Sequence, residues 1–209
     1  MHVFGLTGGF ASGKSTVVAR LRARGVPVVE ADELAREIVE PGSEGLSAVI
    51  DAFGPEMLGP GGRLDRKRLG ELVFSDPAAR ARLEAILHPR IRARMHEKTR
   101  AFGESGEPLV CYEAPLLVEV GLAGELRPLV VVAADEATQI RRATARDGST
   151  PEAARARLRA QLPLADKVAL ADHVIDNSGP LEQTLEATDR VLEAVCREVG
   201  VPLERYSTG

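Results

Sequence analysis

Gly8-Gly9-Phe10-Ala11-Ser12-Gly13-Lys14-Ser15-Thr16 has a glycine, four residues, then Gly-Lys and a hydroxyl side chain. Its flanks suit a phosphate-binding loop. Ahead of it, Val3-Phe4-Gly5-Leu6-Thr7 is short and mostly apolar, as in a buried strand; behind it, residues 17–24 read as a helix that stops at Gly25. In a strand–loop–helix of this kind the loop's backbone N–H groups curl around the β- and γ-phosphates. The positive end of the helix points at the same oxygens. Lys14 supplies a mobile charge, and the Ser15 hydroxyl is placed to ligate Mg²⁺. A chance glycine turn would need neither strand nor helix, so the stretch predicts binding of a nucleoside triphosphate.

The 209 residues suit one core with inserted subdomains, and 44% hydrophobic content is enough for a packed interior. Aromatics make up 3% and Trp is absent, so that interior must be aliphatic. A formal net charge of −4, from 27 basic and 31 acidic residues, argues against general nucleic-acid binding. Cys111 and Cys196 lie far apart and read as free buried thiols. The opening Met1-His2 runs straight into the first strand, and no apolar stretch is long enough to span a bilayer. The expectation is a soluble cytoplasmic protein with no membrane partner.

Further along, residues 26–30 form a second short strand and residues 31–39 turn helical at once, leaving Asp32 just past a strand's carboxyl end. A carboxylate there can accept a proton from an attacking hydroxyl or hold a metal-bound water; it can equally well only cap its helix. Pro41-Gly42 breaks the pattern, and from residue 46 to 95 only helical stretches follow: 46–53, 66–74 and a long run from 77. Leu87-His88-Pro89 is expected to interrupt that run, as a pocket-shaping kink beside His88 and Arg90 or as a surface bend.

Residues 109–113 are a third strand ending in Glu113, where a carboxylate could hold Mg²⁺ through water; 129–134 are a fourth, apolar throughout, and 173–177 a fifth. The final helix spans about 181–199, and the tail from 202 to 209 is expected to be loose. Between strands four and five lie six arginines, Arg141, Arg142, Arg146, Arg155, Arg157 and Arg159, against Asp147 and Glu152. Such poorly balanced charge beside a phosphate loop suggests a lid, open and solvated at rest, rather than a plain basic face. Ser149-Thr150-Pro151 reads as a helix cap within it.

Several separated segments together resemble the dephospho-CoA kinase family. They are the loop from Gly5 to Thr16; Ala31-Asp32 with Ala35-Arg36; Pro41-Gly42; Leu64-Asp65-Arg66 with Val73-Phe74; and Leu83 through Leu87-His88-Pro89-Arg90-Ile91-Arg92. Pro115-Leu116-Leu117, Gln139 with Arg142, Arg146-Asp147, and Ala171 through Asp176-Asn177 complete the set, so the resemblance runs from Gly5 to about Leu192. It implies an α/β P-loop kinase with a five-stranded parallel sheet, like nucleoside monophosphate kinases. The core would be about 1–40, 105–137 and 162–200, an all-helical CoA-binding insertion 41–104, and a helical lid 138–161.

The implied reaction is ATP-dependent phosphorylation of the ribose 3′-hydroxyl of dephospho-CoA, with ATP and Mg²⁺ required. Lys14, Asp32 and Arg142 would be catalytic, Asp32 as the base. Gly9, Ala11, Ser12, Gly13, Lys14, Ser15, Thr16, Arg146 and Asn177 would hold ATP, and Arg66, His88, Arg90 and Glu113 the acceptor. Ser15 would ligate Mg²⁺, with water-mediated help from Asp32 or Glu113. Three positions depart from the family pattern: Ala11 for a glycine, Glu30 for an aspartate and Val118 for a phenylalanine. The rivals are another small-molecule kinase, such as a shikimate or nucleotide kinase, and a nucleotide-dependent switch. Against the switch, no Asn-Lys-x-Asp guanine segment follows the fourth strand.

Overall fold

Apolar side chains on both faces make strands 2–8, 109–113 and 129–133 interior ones, and the fold follows from covering them. A computed structural model describes residues 1–207. The strands are β1 (His2–Gly8), β2 (Val28–Glu30), β3 (Leu109–Glu113), β4 (Leu129–Ala133) and β5 (His173–Asp176). The helices are α1 (Lys14–Ala23), α2 (Ala31–Glu37), α3 (Glu44–Phe53), α4 (Arg66–Ser75), α5 (Pro77–Glu104), α6 (Glu136–Asp147), α7 (Pro151–Arg159), α8 (Leu164–Ala169) and α9 (Leu181–Val199). By its contacts the chain divides into two units, Met1–Val29 with the chain from Phe102 onward, and Glu30–Ala101.

The first unit holds the five-stranded parallel sheet, in the order β2-β3-β1-β4-β5. β1 lies between β3 and β4, so the chain order reverses beside it. At such a point the carboxyl ends of neighbouring strands diverge and leave a crevice for ligands. The register sets Leu6 opposite Glu113 and Gly8 opposite Val132, which places the loop after β1 at that crevice. Val17 and Leu21 of α1 and Leu192, Val195 and Cys196 of α9 close over Phe4, Leu6, Val130, Val132 and Ile175. The interior is mostly aliphatic, packed around Phe4 and Tyr206, and both cysteines are buried outside any disulfide.

The expected loose tail is instead ordered through Ser207: Leu203–Tyr206 is a 3-10 turn, and Tyr206 is 1% exposed. Its hydroxyl bonds Glu107, and burial pushes its pKa well above the ordinary phenol value. A polar-looking tail sequence hid one large amphipathic side chain with a partner about 100 residues away. Thr208 and Gly209, the end of that expected tail, lie outside the described residues.

The helical unit is built on Val39, Leu46, Val49, Phe53, Leu69 and Ala79. α5 runs through Pro89 as one helix of 28 residues, so the expected interruption does not occur. Pro89 is exposed, and losing one hydrogen bond in so long a helix leaves the turns on either side intact. The Arg90 guanidinium also donates to the Ile86 carbonyl at 2.7 Å, giving that turn an extra bond. α2 belongs to this unit: Glu37 at its end pairs with Arg94 and Lys98 of α5. The contact boundary therefore falls at residue 30, where the sequence drew it at about 41.

Candidate active site

The loop from Gly8 to Gly13 carries backbone torsions and close approaches that few side chains tolerate. Gly13 has φ 84 and serves as N-cap of α1 without any side-chain cap. The first turn of α1 thus has neither a side-chain cap nor an acidic residue, and its positive end faces the loop. A Cβ on Gly9 would collide with the Gln139 amide, and one on Gly13 with the Asn177 amide. Ala11 has φ 53, the one non-glycine residue with positive φ among those described. The ordinary cost of that region for an L-residue is about 1–2 kcal/mol, which here is carried in the loop itself. Ser12 is buried, and its Oγ finds no hydrogen-bond partner among the described residues.

The loop is held from three elements. From α6, Gln139 Nε2 donates to the Phe10 carbonyl at 2.8 Å, and Arg142 Nη1 to the Ser12 carbonyl at 3.3 Å. From the end of β5, Asn177 Nδ2 donates to the Ser12 carbonyl at 2.8 Å. Asn177 is 3% exposed, and its Oδ1 accepts from Thr184 of α9 at 2.7 Å and from Arg142 at 3.4 Å. From β3, the Glu113 carboxylate stands 3.9 Å from Lys14 Nζ, both side chains largely buried. Ser15 and Thr16 occupy the next two positions of α1, Ser15 exposed.

The arginine-rich segment is a helical hairpin, α6 and α7, with Thr150 capping α7 by accepting from the Ala153 N–H at 3.2 Å and Pro151 as its first residue. Its guanidinium groups are better matched than their count suggested. Arg146 and Arg157 both pair with Asp147, at 2.7 Å each, and Arg155 with Glu152 at 3.7 Å. The Arg146 hydrogen bonds, then the Arg157 charge, hold the Asp147 carboxyl below the usual carboxylate range. Gln139, Arg142 and Arg146 reach the loop, while Arg146, Arg155 and Arg157 and most of α7 are exposed to solvent.

In the helical unit Asp32 is exposed at the second position of α2. Glu30 is the N-cap of that helix, so Asp32 does not cap it. Arg66 opens α4, exposed, its guanidinium 3.5 Å from the Arg36 carbonyl. His88 is exposed on α5, and Arg90 is half-buried two residues on, a spacing that turns the two side chains to different faces. The structure thus brings the loop residues, Arg142, Arg146, Asn177 and Glu113 together in one unit, with Asp32, Arg66, His88 and Arg90 in the other.

The model of the family described as "Dephospho-CoA kinase" matches residues 2–183, spanning the loop, the helical segment and the arginine hairpin. The chain belongs to the dephospho-CoA kinase family. A dephospho-CoA kinase of Anaeromyxobacter dehalogenans is 52% identical over 192 residues, covering 92% of this chain and 91% of that protein. The solved Thermus thermophilus protein TT1252 is 41% identical with a TM-score of 0.78, covering 94% of this chain and 97% of that one. A dephospho-CoA kinase from Campylobacter jejuni is 28% identical with a TM-score of 0.71, over 94% of this chain and 98% of its own.

Dephospho-CoA kinase motifs alone did not show what every site residue touches. Asn177, expected to hold ATP, has its amide committed to the loop's backbone and to Thr184. Lys167 went unnoticed: it is fully buried on α8, donates to the Pro115 carbonyl at 2.8 Å and pairs with Glu119 at 2.7 Å. Thr7 donates to the same carbonyl at 3.2 Å, so the turn after Glu113 is tied to both β1 and α8. A lysine in an otherwise amphipathic short helix carries no sequence signal for such a role.

Proposed function

We propose that the chain transfers the γ-phosphoryl group of ATP to the ribose 3′-hydroxyl of dephospho-CoA, releasing ADP and CoA, the last step of coenzyme A synthesis. The match to the family model over residues 2–183 carries this reading. The site geometry supports it: an uncapped helix N-terminus, a lysine and arginines converge on a loop with room only for glycine at two positions.

On this reading the loop N–H groups and Lys14 take the β- and γ-phosphates, with Glu113 orienting the ammonium from 3.9 Å. Arg142 and Arg146 face the transferring group from a lid, and Asn177 acts through the loop whose shape it holds. Asp32 takes the proton as the 3′-oxygen attacks phosphorus and the bond to the β-phosphate oxygen breaks. Arg66, His88 and Arg90 contribute to acceptor binding. No cluster of three His, Cys, Asp or Glu forms among the described residues. Magnesium that keeps its waters and rides on the triphosphate needs few protein oxygens, and the exposed Ser15 hydroxyl fits that demand. When bound, it neutralises charge on the phosphate oxygens. No described helix is long and apolar enough to cross a membrane, and two cysteines outside any disulfide suit a reducing cytoplasm.

The test is acceptor dependence. ADP release from Mg-ATP should rise at least about 100-fold on adding dephospho-CoA, the span commonly supplied by a positioned acid–base group alone. Equal ADP release with and without it would favour a nucleotide-dependent switch instead.

A further inference from the structure

Phe10 lies in the phosphate loop, half-buried, between Gly9 and the strained Ala11. Two guanidinium groups from two different helices sit within cation–π range of its ring. The Arg146 carbon is 5.6 Å from the ring centroid and the Arg157 carbon 5.7 Å. Both are also bound to one carboxylate, Asp147, which lies at the turn joining their helices. Two positive charges on one ring would repel each other; a shared carboxylate removes most of that cost. The Gln139 bond to the Phe10 carbonyl fixes the backbone beneath the ring.

We infer that the Phe10 ring is the docking platform that sets the α6–α7 hairpin over the phosphate loop, making Phe10 and Arg157 positioning residues for phosphoryl transfer. This rests on the phosphoryl-transfer reading above and adds two residues it does not use. The ring has no charge to exchange, so it keeps both guanidinium groups in place whatever anion they face. Asp147 is the replaceable partner: triphosphate oxygens can take over its hydrogen bonds while the stacking persists. A hairpin seated in this way excludes water from the γ-phosphate, and a badly seated one lets water compete with the sugar hydroxyl.

The experiment compares Phe10→Leu, Phe10→Tyr, Arg157→Ala and the double variant Phe10→Leu/Arg157→Ala in the full-length enzyme with Mg-ATP and dephospho-CoA. Phe10→Leu keeps apolar volume but loses the π face. It should lower kcat/KM for ATP about fivefold, the scale of one to two exposed cation–π contacts. It should also raise the ratio of ADP to CoA formed, with KM for dephospho-CoA unchanged within about twofold. Phe10→Tyr should restore both readings. Arg157→Ala, which removes one of the ring's two contacts, should reproduce the defect in part, and adding it to Phe10→Leu should cost nothing further, because that contact is already lost. Parent-like behaviour of Phe10→Leu, equal damage from Leu and Tyr, or additive loss in the double variant would each overturn the inference. Arg157 is exposed, so its variant tests the contact even if a loop substitution fails to fold. A parent enzyme that makes no CoA would instead refute the underlying phosphoryl-transfer reading.

Discussion

Asp32 shows how much one position can decide. From the sequence it could cap a helix or take a proton. Glu30 occupies the N-cap, and Asp32 stands one residue inside the first turn, exposed. There its carboxylate contributes only a favourable interaction with the helix dipole, about 0.3–1 kcal/mol. Asp32→Asn should therefore cost less than about 1 kcal/mol in chemical denaturation, yet lower turnover about 100-fold or more. A variant that is as active as the parent would remove Asp32 from the base role. Ala11 makes the opposite point, because the sequence marked it in advance. An alanine at a glycine position of the loop has to accept a glycine torsion, and it does so at φ 53. Lys167, by contrast, was invisible, because the carbonyl and carboxylate that accept its protons belong to a turn about 50 residues earlier.

At the level of elements, α2 has only seven residues, too few to persist alone in water. Leu34 is fully buried, and Glu37 anchors the far end of the helix to α5. The Lys98 hydrogen bond first, then Arg94, holds the Glu37 carboxyl below its ordinary value of 4.5. A lowered folded pKa contributes stability above the unfolded value and loses it as pH falls through the folded one. Glu37→Gln should thus be less stable than the parent at pH 7, with the gap closing below about pH 4, read from thermal midpoints across pH. A gap of constant size from pH 7 to 3 would contradict the ion-pair assignment. The strands and α9 were legible because their apolar periodicity is local, and α9 spans residues 181–199 as read. The course of α5 through Pro89 was not, since the rule that proline breaks helices ignores the turns that continue on either side. The pairing of Arg146 and Arg157 with Asp147 was also hidden, because a count of charges carries no geometry.

Across the whole molecule, the phosphate loop and its supports occupy one compact unit, and Asp32 with the basic residues of α4 and α5 occupies another. The family match spans both, and the proposed reaction needs both: one unit to hold and polarise the triphosphate, the other to present an alcohol. The helical character of the stretch after Pro41-Gly42 was legible from its lack of any strand pattern. The buried amide of Asn177 and the ring of Phe10 emerged only when distant segments came together. The central claim is the identity of acceptor and product. Purified protein with Mg-ATP and dephospho-CoA should yield a product heavier by one phosphoryl group, with phosphorus NMR showing a new monoester coupled to the ribose 3′ position. An unmodified dephospho-CoA after extended incubation, or a phosphate placed on any other hydroxyl, would contradict it.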